Sequence, residues 1–137
     1  MLILTKDMET GVPKIDEQHK ELVSRINAVL ASGAAAASHE ETQKTLAFLE
    51  EYVIKHFGEE EVLQRQSKYP KFEWHKEQHR SFIAEFKKLE EEFAANGASA
   101  KFNVGMNLSI IKWITTHIKT VDVAFGAYYR EQATPKK

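Results

Sequence analysis

Residues 53–79 read VIKHFGEEEVLQRQSKYPKFEWHKEQH. Val53, His56, Glu60 and Leu63 recur at alternating steps of three and four, and so do Phe72, His75 and His79 beyond the Tyr69-Pro70 break. That spacing is one face of an α-helix, because side chains three and four apart stack on the same side. The stretch therefore reads as the end of one helix, a tight turn, and the start of another, with Pro70 as the first residue of the second. A short turn makes the two helices antiparallel neighbours. It also brings His56 and Glu60, near the end of one, level with His75 and His79, near the start of the other.

The same period extends outward. A first helix, capped at Asp16, carries Ile15, His19, Leu22, Ile26 and Val29. The second begins at Ser38 and adds Leu46 and Leu49 to the face quoted above. The third continues through Phe82, Phe86, Leu89 and Phe93 to a stop at Asn96-Gly97. The fourth starts between Ser99 and Asn103 and carries Met106, Ile110, Trp113, His117 and Val121. Ser32–Ser38, with its alanine run, reads as a helix end and connection. The expected fold is all-α: an antiparallel up-down-up-down four-helix bundle. It forms a single domain over residues 1–137, with an extended N-terminal arm at 1–14 and a flexible tail at 130–137. Trp74, Trp113 and the phenylalanines read as core. His39 reads as an exposed junction residue, and Lys87-Lys88 and Glu90–Glu92 as helix surface.

Composition narrows the function. The chain has 137 residues, 19 basic and 20 acidic, for a net charge of -1. That balance argues against nucleic acid and against a polybasic membrane surface. There is no cysteine, so disulfides and thiolate metal sites are excluded. No apolar run approaches membrane-spanning length and the N-terminus does not read as a signal peptide, which makes the cytosol the expected location.

Histidine or glutamate thus occupies inward positions on all four helices: His19, His56, Glu60, His75, His79 and His117. With alternating helix directions all six fall at one end of the bundle. Burying one such group unpartnered costs roughly 2–7 kcal/mol, so several would rival the roughly 5–15 kcal/mol stability of a domain. Metal ions satisfy imidazole and carboxylate together. Five histidines and a carboxylate exceed a four-coordinate zinc site and suit two near-octahedral ions. Asp122 is the candidate second carboxylate. It lies five residues after His117, roughly 140° away on a regular helix, so if both are ligands the helix must widen between them into a π-bulge. A site rich in neutral imidazole stabilises high-valent iron less than a carboxylate-rich one, which favours reversible dioxygen binding over oxidation.

Taken in order, Ile15-Asp16-Glu17-Gln18-His19, His56-Phe57-x-x-Glu60-Glu61, Tyr69-Pro70 leading to His75-x-x-x-His79, and Trp113-x-x-x-His117-Ile118-x-x-x-Asp122 resemble the hemerythrin family in its bacterial single-domain form. The resemblance covers about Gly11 to Tyr129. It implies two iron ions with a bridging oxo or hydroxo group and dioxygen as ligand. His75, His79 and His117 would hold one iron, His19 and His56 the other, with Glu60 and Asp122 bridging and Ile114 lining the dioxygen pocket. It implies a binding protein for carriage, storage or sensing of O2, served by an O2-accepting or signalling partner. An oxidase, peroxidase or nitric-oxide-handling enzyme of the same fold is the alternative. The chain departs from the family's bacterial members in two places. Leu2–Thr5 holds no aromatic residue where a tryptophan is common, and Phe125 stands where tyrosine is common.

Overall fold

The structure, a computed structural model, describes residues 2–34 and 38–133. Four helical rods make up most of it: α1, Pro13–Ala34; α2, His39–Gln66; α3, Phe72–Asn96; and α4, residues 100–133. The last is one continuous rod in five segments. It is α-helical at Ala100–Gly105, Trp113–Thr116 and Val123–Ala133, and π-helical at Met106–Lys112 and His117–Asp122.

The rods alternate in direction. At one end of the bundle Ser32 of α1 meets Thr42 of α2, 2.8 Å apart, and Phe93 of α3 meets Phe102 of α4, with ring centroids 5.0 Å apart. At the other, His19 meets His56 at 4.9 Å and His75 meets His117 at 5.0 Å. This is the antiparallel four-helix bundle. Leu22, Ile26, Val29, Leu46, Leu49, Val53, Phe82, Phe86, Met106, Ile110 and Ile114 fill its interior. Each such side chain contributes about 1.5–3 kcal/mol through removal from water.

Local chemistry sets the ends. Ser38 caps α2 by accepting from Glu41 N, and Ser99 caps α4 by accepting from Phe102 N. α1 starts at Pro13, three residues before the expected cap Asp16, because proline's fixed φ and missing N–H suit the first helical position. Asp16 instead reaches back to the arm and accepts hydrogen bonds from Thr10 N, Thr10 Oγ1 and Gly11 N at 2.7–3.1 Å. Pro70 does not open α3, which begins at Phe72. α2 closes with Lys68 in the left-handed region, Lys68 N donating to Arg65 O and Tyr69 N to Gln64 O. Pro70 follows that closure as a stop.

The arm is docked on the bundle and contains one 3-10 turn, Lys6–Met8. Leu2 pairs its backbone with the Asn27 amide, and Asp7 pairs with Lys119 at 3.3 Å. Gly126 lets the arm approach α4, since a Cβ there would lie 2.4 Å from Thr10 O. At the other end of the chain, residues 130–133, expected in the tail, continue the last helix; residues 134–137, and 35–37 of the first connection, lie outside the described residues.

Several expected core positions differ. Trp74 is 51% exposed, because it sits about 100° round the helix from the inward His75. Phe48 is 53% exposed and carries the Arg25 guanidinium over its ring. Leu63, Phe72, Trp113 and Val121 are half-buried at the edges of the seam. Within the expected surface run, Glu90 and Glu92 are half-buried; Glu92 accepts from Ser99 Oγ. His39 is exposed, its ring stacked on Phe93. Among the described residues, no helix is long and apolar enough to cross a membrane.

Candidate metal centre

All seven expected site residues come together at one end of the bundle, and none is more than 4% exposed. His19 lies in the second turn of α1, and His56 and Glu60 lie one turn apart in α2. His75 and His79 occupy the first two turns of α3. His117 and Asp122 are the first and last residues of the second π-helical segment of α4. The widened turn carries a five-residue spacing on one face, which a regular α-helix does not. The other π-helical segment, Met106–Lys112, had no counterpart in the sequence reading.

The two carboxylates sit between two groups of imidazoles. Glu60 Oε1 is 2.8 Å from His75 Nε2 and 3.1 Å from His79 Nε2, while its Oε2 faces His56 Nε2 at 3.8 Å. Asp122 Oδ1 is 3.0 Å from His75 Nε2 and 3.1 Å from His117 Nε2, while its Oδ2 is 3.0 Å from His19 Nε2. Each carboxylate therefore gives one oxygen to each group. Two overlapping clusters result: Glu60, His75, His79, His117 and Asp122; and His19, His56, Glu60 and Asp122. Within each, the ligand atoms lie within 4.8 Å of one another.

These atoms are close without being hydrogen-bonded. His19 Nε2, His75 Nε2, His79 Nε2, His117 Nε2, both Glu60 oxygens and Asp122 Oδ1 are buried and make no directional hydrogen bond. Buried polar groups left that way are costly. The lone pairs converge on shared points, which is the arrangement a cation satisfies. The donor set, imidazole nitrogen with shared carboxylate oxygen, fits a pair of transition-metal ions, iron among them.

Electrostatics agree with the geometry. Burial favours neutral imidazole at His75, yet Asp122 and Glu60 reverse this and raise it to about 9. Against burial, Asp122 and Glu60 raise His19, and Glu60 and Glu61 raise His79. Burial wins at His56, which falls to about 4. Burial and the charge of Asp122 push Glu60 up, but His75 and His79 outweigh both and hold it at about 2. Burial also opposes ionisation of Asp122, and His117, His19 and His75 keep it ionised. Both carboxylates are anionic at neutral pH and ready to ligate.

A ring of outer partners was missed by the sequence reading. Gln18 Oε1 lies 2.8 Å from His56 Nδ1, and Gln18 Nε2 donates to Glu59. The Gln64 amide lies 2.7 Å from His75 Nδ1. Glu61 Oε2 lies 3.0 Å from His79 Nδ1. Glu59 and Glu61, which flank Glu60 in an acidic run, are thus engaged at the site. Gln64 carried a sequence signal in its place one helical turn beyond Glu60, and the structure finds its amide wholly buried. Rings are held by stacking as well. Phe57 lies 3.8 Å from His79 with planes 2° apart, and Trp113 lies 4.3 Å from His117. Ile114, one turn before His117, is 1% exposed. A cavity of about 290 Å³ between the arm and α1 is lined by Leu4, Met8 and His19.

Comparison with known proteins gives the same picture. Residues 10–128 match the family model described as hemerythrin HHE cation binding domain. The bacteriohemerythrin of Methylococcus capsulatus is 31% identical over 117 residues, covering 85% of this chain and 87% of its own length. That of Pseudomonas paraeruginosa is 29% identical over 126 residues, covering 90% and 78%. A crystal structure of wild-type hemerythrin superposes with a TM-score of 0.80 at 26% identity, covering 94% of this chain and 97% of the other. With the bundle and the family model coinciding over most of its length, the chain belongs to the hemerythrin family.

Proposed function

We propose that this chain binds dioxygen reversibly at a non-haem di-iron centre, acting as a single cytosolic domain for carriage, storage or sensing rather than as an enzyme. The observation that carries the reading is the split of each carboxylate, one oxygen to each histidine group. Glu60 and Asp122 would be shared between the two ions. His75, His79 and His117 would hold one iron, and His19 and His56 the other. When bound, the two irons supply the electrons that allow dioxygen to bind and leave.

The chain's own residues do the rest. Three imidazoles fill one site, while two leave the other room for a small ligand. Glu60 and Asp122 fix the separation of the sites and balance their charge. Ile114, buried one turn before His117, would keep water from the bound ligand. The imidazole-rich donor set favours reversible binding over oxidation, and membership of the family supports that direction.

Purified protein is expected to contain two irons per chain. The reduced form should gain a visible charge-transfer band in air and lose it on deoxygenation. Iron content near zero would refute the proposal. Steady consumption of O2 in the presence of a reductant would instead make the protein an oxidase.

A further inference from the structure

The five histidines differ in what holds their outer nitrogens. His56 and His75 face neutral amides, from Gln18 and Gln64. The Nδ1 atoms of His19 and His117 are buried without a hydrogen bond. Only His79, among the described contacts of the five Nδ1 atoms, faces a carboxylate: Glu61 Oε2 at 3.0 Å. Glu61 follows the bridging Glu60 in α2, and its side chain is 21% exposed, so much of its charge is shielded from water. Phe57, one turn earlier on the same helix, stacks flat on the His79 ring. α2 therefore clamps this imidazole twice, Phe57 setting its plane and Glu61 its rotation within that plane.

An imidazole that ligates through Nε2 carries its proton on Nδ1 and must donate it. A carboxylate acceptor draws that proton more strongly than an amide, because the hydrogen bond is charge-assisted. The ring becomes a stronger donor, and a nearby negative charge stabilises the higher oxidation state of the ion it holds. We propose that Glu61 is a positioning residue that makes the three-histidine site, His75, His79 and His117, the tighter-binding and more easily oxidised of the two. The proposal rests on the di-iron reading above and adds an asymmetry to it.

The test compares E61Q and E61A with the parent protein. The amide of E61Q can still accept from His79 but carries no charge; E61A removes the partner altogether. Metal-free protein is titrated anaerobically with Fe(II), and separately with Co(II), whose visible spectrum reports coordination number. Midpoint potentials are then measured on the iron-loaded forms. E61A is expected to bind its first metal about 10–100-fold more weakly. E61Q should fall between E61A and the parent, because its amide keeps the hydrogen bond but not the charge assistance. Its midpoint should rise so that the ratio of reduced to oxidised iron at the parent's midpoint increases about tenfold, equivalent to about 59 mV for one electron. A merely structural role would lower the thermal midpoint of E61A without moving the potential of E61Q. An unmoved potential in E61Q, or parent-like first-metal affinity in E61A, overturns the proposal. Loss of the two-iron stoichiometry or of the oxygen-dependent band in the parent protein itself would refute the di-iron reading instead.

Discussion

Replacing Asp122 with asparagine changes no side-chain volume and removes one charge, which makes D122N a sharp probe of the bridge. Oδ1 faces His75 and His117, and Oδ2 faces His19, all at 3.0–3.1 Å. An amide keeps one ligating oxygen and turns the other position into an NH2 group that cannot bind a metal. The three-histidine site would still have His75, His79, His117 and Glu60. The other would be left with His19, His56 and Glu60. D122N is therefore expected to hold about one iron per chain instead of two, measured by elemental analysis after anaerobic loading and desalting. The metal-free protein offers an independent reading. Asp122 is 1% exposed, and its removal leaves buried imidazoles without their counter-charge. Removing one partner of a buried pair costs about 3–5 kcal/mol. At about 2.1 cal/mol/K per residue, a 137-residue chain shifts by about 3.5 °C per kcal/mol, so the thermal midpoint should fall by about 10–17 °C. Two tightly held irons and a midpoint within about 3 °C of the parent, on the same scale, would refute the bridging geometry.

Three further outcomes are expected. H56A should lose the two-histidine iron and the oxygen-dependent band while retaining roughly one iron at the other site; simultaneous loss of both metals would show that the sites fill cooperatively. G126A should displace the arm, because the added methyl would collide with Thr10 O at 2.4 Å; overpacking of this kind costs about 1–3 kcal/mol, and faster proteolysis within residues 2–12 would report the loosened arm. Far from the metal site, burial and the facing Glu50 carboxyl raise Glu90 to about 8 against an ordinary value of 4.5. A raised carboxyl favours the folded state only while protonated, so stability should decline as pH rises from about 4.5 to 8, and E90Q should flatten that part of the urea-melt profile.

The sequence by itself determined the bundle and six of the seven inward site residues. A period of 3.6 leaves little freedom about which residues share a helix face, and short connections leave little freedom about which helix ends coincide. His19, His56, Glu60, His75, His79 and His117 could therefore be placed at one level without coordinates. The unusual gap between His117 and Asp122 even made the π-helical turn legible, because a regular helix would have turned Asp122 away. Tertiary structure decided what periodicity does not encode. Trp74 lies only 100° from His75, and nothing local says which of two large residues faces the core. Glu61 and Glu59 look like solvated charges until α3 brings His79, and α1 brings Gln18, within hydrogen-bond reach. The division of each carboxylate between two groups of imidazoles is likewise a matter of ångströms between four separate rods. Such distances depend on how the rods pack across the bundle, and residue spacing along one chain segment does not contain them.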